Sequence, residues 1–185
     1  MALDDRLRTA LDRALADVRA AAEAEVDEVR RSAEQSTAAL RASAGRLTDC
    51  IHALDEAPSL GAVLTVLAGC ARLDTGRAGI ILVQDTKLTA YPSRAEVPPD
   101  QAQVAASAAR TGAPVVEGDA AAFPIALGGQ VAAVLTTAAP SSAEVMSTLN
   151  LLARHAGRVL EAMTVCQITG LVPLPAPDTA ARSAP

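Results

Sequence analysis

The chain has 185 residues, half of them hydrophobic, with a formal net charge of -5, a single lysine and only two aromatic residues, Tyr91 and Phe123. So acidic a chain, with no arginines interleaved with rings, excludes a nucleic-acid surface, and the shortage of rings excludes aromatic-lined pockets for flat cofactors. No uninterrupted apolar run approaches the ~20 residues that span a bilayer, and Met1 to Arg6 lack the basic-then-apolar pattern of a secretion signal, so a cytoplasmic protein with no membrane insertion is expected.

From Leu3 to about Leu54 there is no proline, and Gly45 is the only glycine. Leu7, Val18, Val29, Leu40 and Ile51 recur every 11 positions, a repeat of 3.67 residues per turn that keeps an apolar stripe almost straight along one helix. Asp4 and Arg8, Arg13 and Asp17, and Asp27 and Arg31 stand at the i,i+4 spacing of helical ion pairs. A helix of this length extends ~75 Å, and its stripe calls for a second helix. The expectation is a dimeric coiled coil over residues 1–46, with Leu47, Ile51 and Leu54 carrying the seam onward and Cys50 close to its mate if the helices run parallel.

Pro58 ends that helix, and Ser59 is placed to cap a second one from Leu60 to about Leu73, which Gly76 stops. Ala78 to Val83 is a short apolar run of the kind that forms a buried strand, with Lys87 to Tyr91 as its hairpin partner. Asp100 and Gln103 have the spacing of a capping box for a short alanine-rich helix ending near Gly112, and Ala113 to Glu117 reads as a brief strand.

Phe123 to Thr137 holds two apolar, β-capable runs joined at Gly128-Gly129, where both residues can take the positive φ of a two-residue hairpin turn. A regular hairpin sets Leu127 opposite Gln130, Ile125 opposite Ala132 and Phe123 opposite Val134, with Ala126, Val131, Ala133 and Leu135 on the other face. Both faces are apolar, so the hairpin is expected to be central and covered on both sides. Pro124 limits only the start of the first strand.

Ser141 and Glu144 give a second capping-box spacing. In the helix that follows, Val145, Leu149, Leu152, Ala156, Val159, Met163 and Cys166 form one stripe, and Met146, Ala153 and Leu160 a neighbouring one. One stripe is expected to pack on the sheet and the other on a second subunit, through Leu149, Leu152, Ala156 and Val159. Gly170 ends the helix, and four prolines make residues 172–185 a disordered tail.

This order of elements resembles a GAF domain, a small α+β sensor module of bacterial and eukaryotic signalling proteins. The similarity covers Leu47 to Leu171. It is carried by the Ala53 to Leu60 entry, the Gly76 to Val83 strand, the Thr111-Gly112-Ala113-Pro114-Val115-Val116 segment, and Phe123 to Leu135, which is similar to the family's Pro-Leu-x-x-Gly-x-x-x-Gly-x-Leu pattern, with Ala133 where that pattern has glycine. The resemblance implies an antiparallel sheet with the first and last helices on one face and a ligand pocket on the other, near Ala90, Tyr91, Ala109 and Phe123, and it implies a parallel helical dimer continuing as a coiled coil.

The asparagine-lysine-phenylalanine-aspartate-glutamate motif of the family's cyclic-nucleotide branch is absent from this chain. Cys50, Cys70 and Cys166 form no CxxC and fall on expected helices, which reads as structural reduced thiols. His52 and His155 have no third ligand in view, so no metal or other cofactor is expected. No nucleophile, base and orienting residue converge, and no enzyme is expected. Between Tyr91 and Val104, where the resemblance places the pocket lid, the segment is short, proline-broken and poor in polar anchors. The expected function is therefore a non-catalytic, homodimeric GAF-like signalling adaptor that engages a signalling or scaffold protein in trans. The alternative is a module that senses a small molecule over the sheet.

Overall fold

The computed structural model describes residues 2–84 and 87–170, with side chains in the long first helix at Arg13 and from Arg19 onward. Its elements are α1 (Ala2–Asp55), α2 (Leu60–Thr75), β1 (Ala78–Gln84), β2 (Lys87–Tyr91), α3 (Pro99–Thr111), β3 (Val115–Glu117), β4 (Ala120–Leu127), β5 (Gln130–Ala138) and α4 (Ala143–Thr169). Two compact units divide the chain, the first ending at Leu47 and the second beginning at Thr48.

The first unit is the part of α1 up to Leu47, and the helix is unbroken as its freedom from proline dictates. Val26, Val29 and Leu40 are exposed along it. Arg31 pairs with Glu28 at 2.7 Å instead of with Asp27. Both acids lie within a helical turn of the arginine, and the longer glutamate reaches it. The Asp4–Arg8 and Arg13–Asp17 pairs and the Leu7 and Val18 side chains fall outside the described side chains.

The second unit is an antiparallel five-stranded sheet in the order β2-β1-β5-β4-β3, covered by α2 and α4 on one face and α3 on the other. Ser59 caps α2 by accepting from the Ala62 N–H at 3.2 Å, and Gly76 ends it in the left-handed conformation. The expected capping box at Asp100 does not form. The cap position of α3 is Pro98, without a side-chain bond, and Pro99 opens the helix, where a missing N–H costs nothing. In α4 the cap is Ser142, whose hydroxyl accepts from the Val145 N–H. This is one residue later than the Ser141 reading, so the glutamate of that reading does not close a box. Glu144 remains in the first turn, where its charge suits the helix dipole.

The Gly128-Gly129 hairpin forms with both glycines at positive φ, 58° and 82°, and lies centrally, between β1 and β3. Its register departs from a regular ladder. Leu127 pairs with Gln130 and Ala126 with Val131, but Ile125 then pairs with Ala133 and Phe123 with Leu135. A bulge at Ala132 sets two residues of β5 against one step of β4, so Phe123, Ile125, Ala133 and Leu135 share one face while Ala122 and Val134 share the other. Pro124 pairs with Val134 beyond Ala122, where β3 stops pairing. The outer edge of β4 is open there, and a residue without an N–H is tolerated.

The two stripes of α4 merge into one broad buried face of Leu149, Leu152, Ala153, Ala156, Gly157 and Leu160, which packs on β4 and α2. The dimer contact expected at Leu149, Leu152 and Ala156 is thereby corrected, because all three are consumed inside the chain, while Val159 is half-buried. A helix spanning a sheet and a second helix needs an apolar arc wider than one stripe, and the neighbouring stripe supplies it. Leu151, Val165 and Ile168 remain exposed. The tail expected at 172–185 lies outside the described residues.

Candidate functional site

The four residues expected around one pocket separate onto the two faces of the sheet. Ala90 pairs with Ile81 and Tyr91 with Ile80, so successive residues of β2 point to opposite sides. Ala90 and Ala109 pack against a cluster on the α3 face made of Ile81, Val97, Val104, Ala105, Ala108, Ala122 and Val134. Tyr91 reaches the other way, donating to the Gly61 carbonyl of α2 at 3.3 Å. A Cβ on Gly61 would lie 2.6 Å from the tyrosine oxygen, so glycine gives that hydroxyl its seat. Phe123, wholly buried, lies on the same face as Tyr91 because the bulge sets its direction.

The α3 face is closed by apolar packing. The segment expected to form a lid folds down onto it. Ala90 N–H donates to the Ala95 carbonyl at 3.1 Å, Arg94 N–H donates back to Ala90 at 2.7 Å, and Thr89 bridges to Glu96. Val97, the next residue, is buried in the cluster beside Val104. Small alanines let α3 come close to the sheet, and Val97, Val104 and Val134 fill what space remains.

A recess of about 600 Å³ does exist, at the end of the sheet where β1 begins and β5 ends. Arg77, Asp100, Gln101, Glu117, Asp119 and Thr136 line it. Its charged side chains are exposed, and the Thr136 hydroxyl donates to the Gly79 carbonyl at 3.3 Å. Sequence reading missed this groove because its members come from the turn before β1, the first turn of α3 and the β3–β4 turn, with no shared spacing.

None of the three cysteines lines the groove. Cys50 on α1 and Cys70 on α2 are buried and Cys166 is half-buried. Burial first, then the hydrogen bond and charge of neighbouring Cys50 and the charge of Asp74, push the Cys70 thiol up to about 12. A thiol so placed is a poor nucleophile at neutral pH. Cys50 is buried within its own chain, 8% exposed, which corrects its expected position on a dimer seam. His155 Nε2 lies 2.8 Å from Asp55 Oδ1, joining α4 to the last turn of α1, and His52 is exposed. Among the described residues no three histidines, cysteines or carboxylates are grouped to hold a metal ion, and no helix is long and apolar enough to cross a membrane.

No family model and no curated protein matches the sequence. The structure, however, is similar to the GAF domain of the potassium sensor histidine kinase KdpD from Escherichia coli, at 15% identity and a TM-score of 0.54 over 68% of this chain and 98% of that one. A GAF domain from an Acinetobacter phosphoenolpyruvate-protein phosphotransferase matches with a TM-score of 0.54 and 11% identity, over 66% of this chain and 95% of the other. The free methionine-R-sulfoxide reductase of Neisseria meningitidis, solved with its substrate, matches at 18% identity and 0.53 over 65% and 89%. The fold is GAF-like, an α+β architecture preceded by a long helix.

Proposed function

We propose that this chain is a non-catalytic regulatory adaptor, a GAF-like domain whose sheet face no longer holds a ligand and whose helices make a homodimer and engage a signalling or scaffold protein in trans. The observation that carries the reading is the closed α3 face, where Val97 and Val104 pack with Ile81, Ala122 and Val134 over the region in which a ligand was expected beside Ala90 and Ala109. The exposed Val26, Val29 and Leu40 of α1 support the dimer, since an apolar stripe along a helix gains by meeting its copy. The placement of the cysteines away from the groove supports the absence of catalysis.

A second reading is favoured by the groove, whose Arg77, Asp100, Glu117 and Asp119 could orient a small polar ligand at the end of the sheet. Thermal melting of the purified chain against nucleotides, amino acids and polyamines separates the two, because a ligand that binds only the folded state raises the melting temperature. The adaptor reading expects no saturable shift. A shift that disappears in Asp119→Asn establishes the sensor instead.

A further inference from the structure

Arg8, Arg19, Arg30 and Arg41 of α1 each stand one residue after a member of the apolar stripe, Leu7, Val18, Val29 and Leu40. At 3.67 residues per turn they form a column about 98° round the helix from that stripe. The matching column on the other flank, one residue before the stripe, holds Asp17 and Glu28. Val29 and Leu40 are exposed on the unbroken helix, and so are Arg19, Glu28 and Arg30. Among the described residues Glu28 meets Arg31, and no carboxylate pairs with Arg19 or Arg30. An uncovered apolar line thus runs between two columns of unlike charge. We infer that the occupant of this face is a second copy of α1 running parallel and in register, with Arg30 of each chain set against Glu28 of the other.

Resting on the homodimer reading, this arrangement adds its orientation and the residues that choose it. A parallel pair, related by a two-fold along the helices, places one flank of each helix against the opposite flank of its copy. The arginine column then faces the acidic positions. Arg30 lies ~3 Å along the axis from the level of Glu28 in the second copy, two residues at helical rise, and position 19 stands likewise to position 17. Arg31 does not exhaust Glu28, because a carboxylate has acceptor sites for a second arginine. An antiparallel pair that keeps stripe on stripe sets each flank against its like. Arginine then meets arginine wherever two repeats overlap, and acid meets acid, so repulsion in the wrong arrangement selects as much as attraction in the right one. A parallel pair slipped by one repeat loses the closed two-fold and leaves stripe bare at both ends. Exposed as they are, these charges fix orientation more than they add affinity.

The test uses the full chain. Val29→Cys and Leu40→Cys are made separately, held in a glutathione redox buffer, digested and mapped by mass spectrometry, so that linked peptides distinguish the introduced thiols from the native ones. Each introduced thiol is expected to link to its own copy. An antiparallel pair can be centred on position 29 or on position 40 but never on both. A link in only one variant, or a link between positions 29 and 40 when the two variants are mixed, therefore overturns the inference. Light scattering under reducing conditions separates two levels of failure: a dimer mass without both links removes the orientation alone, and a monomer mass removes the homodimer reading with it. Arg30→Glu is expected to raise the dimer dissociation constant about tenfold, and adding Glu28→Arg to recover most of that loss. An unweakened Arg30→Glu dimer, or a double variant no tighter than the single one, refutes the contact between Arg30 and Glu28.

Discussion

Gly157 of α4 sits so close to β4 that a Cβ on it would lie 2.7 Å from the Ala126 carbonyl oxygen and 3.5 Å from the Ala126 nitrogen. Ala126 is the residue at which the β4–β5 register shifts, so the last helix is seated on the bulge itself. Glycine in a helix interior costs about 1 kcal/mol relative to alanine, and here it allows backbone to approach backbone.

Gly157→Ala is therefore expected to destabilise in spite of the gain in helix propensity, because the atom it strikes is backbone and cannot swing aside. Overpacking of this kind costs ~1–3 kcal/mol, so a net loss of about 1 kcal/mol or more and a lower melting temperature are expected in chemical and thermal unfolding. A variant as stable as the parent would show that α4 is free to lift from Ala126.

The bulge also explains what the sequence did and did not disclose. Gly128-Gly129 announced the hairpin through its backbone freedom, and Ser59, Gly76 and Gly170 announced helix ends through capping chemistry. From Val131 to Leu135 every residue of β5 is apolar, so nothing in polarity separates one register from the next. The faces of Phe123 and Ile125 relative to β5 were thus unreadable, and with them the place of Phe123 in the expected pocket. The groove lined by Arg77 and Asp119 was invisible for a different reason, since it is assembled from turns distant in the chain. In α4 the wide buried arc looked like two interfaces because periodicity records how broad an apolar face is, without naming what covers it.

Ala133 is buried on the face shared with Phe123, Ile125 and Leu135. Ala133→Glu places a carboxylate among side chains that offer it no partner, a change in the class costing several kcal/mol. The expected outcome is loss of cooperative unfolding by circular dichroism at room temperature, whereas a glutamate at exposed Gln130, on the same strand, leaves the melting curve nearly unchanged.

The Cys70 thiol has its own pH signature. Its proton leaves near 9.0 in the unfolded chain and near 12 in the folded one. Between those values the folded state binds more protons than the unfolded state, so stability falls as pH rises. The contribution is fully present below about pH 9 and declines from there toward 12. Cys70→Ala should show a shallower loss than the parent over that window under reducing conditions, and parallel slopes would refute the assignment.

The first helix provides the sharpest test of assembly. Val29 is 64% exposed and Leu40 57% exposed, one repeat apart on the same line of α1, and both belong to the unit that ends at Leu47. Substituting them therefore spares the core of the unit that begins at Thr48, unlike any change at Leu149 or Leu152, which are buried within the chain. Val29→Glu combined with Leu40→Glu puts like charges opposite their own copies in any parallel, in-register pair, and replaces apolar contacts worth roughly 1.5–3 kcal/mol for each fully buried side chain. The double variant is expected to keep its melting transition and to dissociate at least a hundredfold more readily, read by light scattering across a micromolar dilution series. A parent chain with monomer mass at the highest concentration, or a double variant whose dimer is unweakened, would remove α1 as the dimer seam and leave exposed Leu151, Val165 and Ile168 of α4 as the surface to be tested next.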